Sequence, residues 1–98
     1  MNGIHNTKLV NIAGGGIAGL SSAQVLKLNG YNPHFVSRGY GGIEKSNVLV
    51  EEWHSAKSVG DESLLLAEVA PTWIGQDRNK SFILAQEKGA DCIIMDDG

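Results

Sequence analysis

The feature that most constrains this chain is a glycine-rich stretch, Gly14-Gly15-Gly16-Ile17-Ala18-Gly19-Leu20-Ser21. Residues 8–13 before it read as a strand, and the apolar spacing after it predicts a helix over about 17–29. Glycine lacks a Cβ, so a turn rich in glycine lets the backbone approach an anion closely. The free N–H groups at the helix start would then face a phosphate. We therefore interpret five residues as a nucleotide-binding loop: Gly14, Gly15, Gly16, Gly19 and Ser21.

Two nucleotide-binding patterns compete for this loop. The dinucleotide fingerprint G-x-G-x-x-G is filled by Gly14, Gly16 and Gly19, between a strand and a helix as that pattern requires. An acidic residue should end the second strand and hold the ribose, but Ser37 and Arg38 stand there and suit the 2′-phosphate of NADP. The stretch also resembles the glycine turn of flavoproteins. This pattern predicts an FAD- or NADP-binding Rossmann module.

The alternative pattern is the P-loop G-x-x-x-x-G-K-[S/T], which Gly14, Gly19 and Ser21 match. Leu20 stands in place of the lysine that reaches the β- and γ-phosphates and neutralises developing charge. We expect such a loop to bind phosphate through backbone N–H groups but to transfer phosphoryl groups poorly. Close packing alone is a third explanation of these glycines, and the one that we favour least.

The whole chain of 98 residues predicts one α/β domain with a parallel sheet and flanking helices. Strands are expected at 34–37, 47–51, 72–75 and 91–95, helices at about 64–67 and 78–88, and a loop at 52–60. The first two strands belong to a βαβ unit, so we expect them to be parallel neighbours. No helix follows the last strand to cover it, which predicts an incomplete domain.

Charge and composition exclude several classes of protein. The net charge of −3 offers no basic surface for nucleic acid. The single cysteine, Cys92, excludes an internal disulfide and is expected to be a buried apolar residue. No apolar run approaches the roughly 20 residues of a membrane span, and the short polar N-terminus does not read as a signal peptide. These features predict a protein of the reducing cytoplasm.

Several short sequence segments after residue 29 form blocks whose order and spacing are informative about the family. They are Ser37-Arg38-Gly39-Tyr40-Gly41-Gly42, Val59-Gly60-Asp61-Glu62, Leu64-Leu65-Leu66-Ala67, Gln76-Asp77-Arg78, and Gly89-Ala90-Asp91 leading to Asp96-Asp97-Gly98. In order and spacing these blocks resemble the tetraacyldisaccharide 4′-kinases, the lipid A 4′-kinases of Gram-negative bacteria. The resemblance covers about 70 residues of the sequence.

The resemblance implies a P-loop fold that transfers the γ-phosphate of ATP, held with Mg²⁺, to the 4′-hydroxyl of a lipid A disaccharide precursor. It implies that Asp61 is the general base and that Glu62 lies beside it at the substrate. It also implies Mg²⁺ binding by Asp96 and Asp97, and substrate contacts by Arg38, Gly39 and Tyr40. Carboxylate oxygens are suitable ligands for Mg²⁺ and its waters. By resemblance alone, the membrane surface is a further partner.

Three departures from the family pattern lower the expected activity. The lysine-bearing G-K-T is absent, and so is the N-terminal membrane helix of the family. The C-terminal half is absent as well, including a histidine that none of His5, His34 and His54 matches. We therefore expect an N-terminal fragment of a lipid A 4′-kinase-like protein with little or no kinase activity by itself. A Rossmann module and a non-functional gene remnant are the competing hypotheses.

Overall fold

The computed structural model describes residues 8–12, 16–37, 47–51 and 53–96, which form one sheet with helices on both faces. The elements of this part of the chain are β1 (Lys8–Ile12), α1 (Gly16–Leu28), β2 (Pro33–Ser37), β3 (Val48–Leu49), α2 (Ala56–Val59), α3 (Asp61–Val69), β4 (Thr72–Ile74), α4 (Arg78–Glu87) and β5 (Cys92–Asp96). The predicted α/β class is confirmed.

The strands lie in the order β1-β5-β2-β4-β3, parallel except for β3, which runs antiparallel to β4 at one edge. The prediction that β1 and β2 are neighbours is wrong, because β5 lies between them. Ile93 of β5 pairs with Leu9 on one side and with His34 on the other. Cys92, Ile93 and Ile94 are fully buried, and a continuous apolar run of this kind belongs in the middle of a parallel sheet.

The two faces of the sheet carry separate cores, because successive strand residues point to opposite sides. On one face α1 and α3 pack together over Phe35 and Ile94, with Ala23 and Leu66 supplied by the helices. The other face is covered by α4, and its buried cluster comprises Val36, Trp73, Ala85, Ala90 and Ile93. Helices α1 and α3 therefore flank one face of the central strands.

The predicted loop over 52–60 contains a helical turn, α2, so that prediction is wrong in part. The Val59 N–H donates to the Ser55 carbonyl oxygen at 3.0 Å, and the Val59 side chain is fully buried beside Val50 and Ile74. The polar sequence around Val59 concealed this turn, since one buried side chain gives no periodic pattern. Helix α3 begins at Asp61, three residues earlier than its apolar run suggests.

Candidate functional site at the carboxyl ends of the strands

The parallel strands bring their carboxyl ends to one edge of the sheet, which we call the carboxyl edge. Ile12 pairs with Asp96 there, and Ser37 pairs with Ile74. Helix α1 begins at Gly16, shortly after β1 ends. Open α/β sheets bind ligands at such an edge, so the carboxyl edge is the expected ligand-binding region of this fold.

Asp61 and Glu62 reach the carboxyl edge through the direction of α3. This helix leads into the parallel strand β4, so it runs back along the sheet and its first turn lies toward the carboxyl end. Both carboxylates are exposed in that first turn, where the helix dipole favours negative charge. Gly60, not Asp61, occupies the N-cap position. Capping of α3 therefore does not account for the aspartate.

Gly19 lies within α1 and brings that helix close to the sheet. A Cβ built on it would lie 3.4 Å from Phe35 Cε1 and 3.9 Å from Ile94 Cγ2. The third glycine of the dinucleotide fingerprint has this same function of close packing between helix and strand. Because α1 begins at Gly16, Gly19 and Ser21 lie inside the helix. Ser21 is exposed and lines a shallow groove of about 390 Å³ along α1.

Leu20 explains why the P-loop pattern fits poorly at this helix. Its side chain is half-buried and packs against the cluster that contains Ala23 and Phe35. A residue that contributes to the core does not face bound phosphates. The position where the P-loop pattern asks for lysine is therefore used for packing.

Some of the predicted site residues lie outside the described residues: Gly14, Gly15, Arg38, Gly39, Tyr40 and Asp97. Of the proposed Mg²⁺ ligands, Asp96 is placed by its backbone as the last residue of β5. Among the side chains that the structure describes, no group of three or more His, Cys, Asp or Glu residues converges as a metal site. None of the described helices is long and apolar enough to cross a membrane.

Sequence reasoning missed two residues at the carboxyl edge, Asn47 and Gly75. The Asn47 amide nitrogen Nδ2 donates to the Asp77 carbonyl oxygen and to Ser81 Oγ, each at 2.7 Å. Gly75 has a φ of +152° and lies directly against Asn47. A glycine after a strand is a weak signal, and nothing in the sequence pairs it with an asparagine 28 positions earlier.

His34 lies on the face that α4 covers, away from the carboxyl edge. Trp73 Nε1 donates to His34 Nδ1 at 3.0 Å, and the two rings are stacked with an interplanar angle of 17°. Burial lowers the pKa of His34 below 6.5, an effect that the negative charge of Asp91 partly opposes. The neutral imidazole is thus the form that accepts this hydrogen bond, so His34 serves the core.

Comparison with known proteins decides the family. The family model for tetraacyldisaccharide-1-P 4′-kinase, LpxK, matches residues 20–98. This chain belongs to that family. The match begins just after Gly19, so four of the five predicted loop residues, Gly14, Gly15, Gly16 and Gly19, lie outside it. The resemblance seen in the sequence blocks is confirmed.

Individual relatives agree with this assignment. The tetraacyldisaccharide 4′-kinase of Gluconobacter oxydans is 50% identical over 80 residues, which are 81% of this chain and 24% of that protein. The Paramagnetospirillum magneticum protein of the same name is 45% identical over 91 residues, 92% of this chain and 28% of that protein. The chain thus spans about a quarter of the length of these relatives.

A solved structure shows the same fold. The chain resembles the crystal structure of the "apo" form of LpxK from Aquifex aeolicus in complex with ATP, with a TM-score of 0.73 and 24% identity. The similarity covers 91% of this chain and 32% of that chain. The predicted α/β fold is confirmed by this similarity.

Proposed function

We propose that this chain contributes to an ATP-dependent kinase that phosphorylates the 4′-hydroxyl of a lipid A disaccharide precursor. One observation carries the proposal: the fold brings Asp61, the end of β5 at Asp96 and the start of α1 at Gly16 to the same edge of one sheet. A phosphoryl-transfer site needs a base, a metal-binding carboxylate and a phosphate cradle in proximity. Family membership supports the assignment of the substrate class.

In this proposal Asp61 accepts the proton of the attacking sugar hydroxyl, and Glu62 helps to orient the sugar. Both carboxylates are exposed at the start of α3, which leaves room for a substrate. The backbone N–H groups of the turn before α1 bind phosphate oxygens. Arg38, Gly39 and Tyr40 follow β2 directly and contact the disaccharide.

The carboxylates at the end of β5 would hold Mg²⁺. Asp96 is the last residue of the central strand β5 and pairs with Ile12, the last residue of β1. Asp97 follows Asp96 in the sequence. Hard oxygen ligands at the end of such a strand suit this ion. When bound, Mg²⁺ neutralises charge on the transferring phosphate. In this proposal the chain's own contribution is to supply the two carboxylates that would hold the ion.

We expect this chain to bind Mg-ATP but to show little phosphoryl transfer alone. No lysine is available at Leu20, whose side chain packs into the core. The test is a kinase assay with tetraacyldisaccharide 1-phosphate, together with thermal unfolding in the presence and absence of Mg-ATP. A ligand at 100 times its Kd stabilises the folded state by about 2.7 kcal/mol. Absence of any stabilisation by Mg-ATP would contradict the proposal.

A second candidate function is supported by the packing of Gly19, which matches the dinucleotide fingerprint. In this alternative the turn binds the pyrophosphate of FAD or NADP, and Ser37 and Arg38 suit a 2′-phosphate. The same unfolding experiment with FAD and NADPH separates the two functions. Stabilisation by NADPH that Gly16→Val abolishes, with no response to Mg-ATP, would establish the dinucleotide site instead.

A further inference from the structure

Helix α1 carries apolar side chains on a face that points away from the sheet. Leu28 is 87% exposed, and Val25, three positions before it, is 58% exposed. Residues three apart lie on the same side of a helix, so these two side chains form one patch. Trp53, Leu65 and Ile83 are also exposed, but each lies on a different segment. Contiguous exposed apolar surface marks interaction sites, whereas scattered single residues do not.

A groove of about 390 Å³ runs beside this patch on one flank of α1. Its mainly apolar lining is formed by Ser21, Ser22, Val25 and Leu26. Lys27 points to the other side of the helix, where its Nζ donates to the Val69 carbonyl oxygen of α3 at 2.6 Å. Each helical residue turns by about 100°, so Val25 and Lys27 lie on opposite sides of α1. The groove is therefore on the flank away from α3.

The order of the strands shows what lies beneath that flank. Helix α1 lies over β5 and β2, whereas α3 lies over β2 and β4. Because the strands run in the order β1-β5-β2-β4-β3, the flank away from α3 is on the side of β1. β1 is the outermost of the described strands there, and among them it pairs with β5 alone. An outermost strand presents unpaired N–H and C=O groups, so among the described elements this side lacks a neighbour in both layers.

The relatives contain polypeptide that could supply such a neighbour. The matched residues are 28% of the Paramagnetospirillum magneticum protein, so more than two-thirds of that protein has no counterpart in this chain. All the residues that line the groove are uncharged, which favours an apolar partner over an ionic one. Side chains of a second helix typically fill such a groove, with the two axes about 8–10 Å apart. The small serines of the lining allow this close approach.

We propose that the α1 flank, formed by Ser22, Val25 and Leu26 and extended by Leu28, is a docking surface for an apolar helix of the same kinase. That helix belongs to the part of the relatives that this chain does not match. Its contact face is expected to carry aliphatic side chains at the spacing i, i+3 and i+4. The inference goes beyond the proposed function, because it rests on packing and family membership and not on phosphoryl transfer.

A chimera tests the docking surface in an intact protein. In it, the matching residues of this chain replace their 45%-identical counterparts in the Paramagnetospirillum magneticum kinase. We expect a maleimide to label Val25→Cys about tenfold more slowly in the chimera than in the 98-residue chain, because a docked helix must first detach. Gln24→Cys, the exposed neighbour, is the matched control and should react equally in both proteins. The unsubstituted proteins give the background from buried Cys92 and other native thiols.

Two labelling results overturn the inference. The first is an equal rate for Val25→Cys in the chain and in the chimera. The second is equal slowing of Val25→Cys and Gln24→Cys, because that result means that the whole helix is occluded. If the chimera does not fold, the chain is co-expressed with a separate polypeptide that comprises the unmatched part of the same kinase. The two should then co-purify, Val25→Asp should abolish this and Gln24→Asp should not, and failure of the unsubstituted chain to co-purify overturns the inference.

Two other partners of the α1 flank would also overturn the proposal. Dimerisation of the chain in analytical ultracentrifugation that Val25→Asp abolishes would assign the flank to a second copy. Co-sedimentation with vesicles of phosphatidylethanolamine and phosphatidylglycerol that Val25→Asp abolishes would assign it to a lipid surface. None of these measurements depends on kinase activity, so failure of the proposed function and failure of the docking surface are distinguishable.

Discussion

The two ends of the strands use their polar residues differently. At the amino ends, the Asn32 N–H donates to Asp91 Oδ1 at 2.7 Å and Asn32 Nδ2 donates to the Gly89 carbonyl oxygen at 2.8 Å. At the carboxyl ends, Asp61 and Glu62 are exposed on the first turn of α3. The hydrogen bonds at the amino ends thus join two turns of the fold, whereas the two carboxylates at the start of α3 are exposed.

The largest effect that this contrast predicts is at the amino edge. Asp91→Ala removes the acceptor of the Asn32 N–H, and hydrogen bonds to charged groups contribute about 1.5–3 kcal/mol. We expect the free energy of unfolding to fall by about 2 kcal/mol in urea denaturation. The matched control is Asp61→Ala at the carboxyl edge, which should change it by less than about 0.5 kcal/mol. Equal losses of unfolding free energy in Asp91→Ala and Asp61→Ala would contradict this difference between the two ends of the strands.

A somewhat smaller loss of stability is expected for Leu20→Lys, which restores the missing P-loop lysine. The leucine packs with the core cluster of Ala23 and Phe35, so removing its apolar surface costs about 1–2 kcal/mol. We expect no gain of phosphoryl transfer, measured with Mg-ATP and tetraacyldisaccharide 1-phosphate. Ser21→Lys, one exposed position further along, is the control and should leave stability nearly unchanged. Kinase activity in Leu20→Lys would show that this position does face the phosphates.

The smallest of these effects is a dependence of the free energy of unfolding on pH. It arises from His34, which lies on the face of the sheet that α4 covers. Burial lowers the pKa of His34, so below about pH 6.5 the unfolded chain takes up a proton that the folded chain does not. The contribution of neutral His34 to the free energy of unfolding is therefore complete above about pH 6.5. This contribution is lost as the pH falls through the lowered pKa of the folded state. Protonation also removes the acceptor for Trp73 Nε1.

Urea denaturation between pH 7 and pH 5 measures this contribution. His34→Gln should lose stability at pH 7 and show a weaker fall toward pH 5 than the unmodified chain. An unchanged slope in His34→Gln would assign the pH dependence to other groups.

Much of this architecture could be predicted from local patterns. Strand β1 and helix α1 agree with the spacing of apolar residues. Asp77 caps α4 as expected, accepting from the Lys80 N–H. The insertion of β5 between β1 and β2 could not be predicted in this way, because strand order depends on which surfaces meet after collapse. The roles of the predicted site residues stay predictions.

By itself, the sequence determined the family, since blocks such as Ser37–Gly42 and Asp96–Gly98 are specific in order and spacing. It also determined strand β1 and helix α1. Only the tertiary structure decided that Leu20 contributes to the core and that Asn47 reaches α4 through the space beside Gly75. The physical reason is that the spacing of apolar residues along the sequence indicates which side chains are buried. Which residues such a side chain contacts depends on how distant segments of the chain pack together.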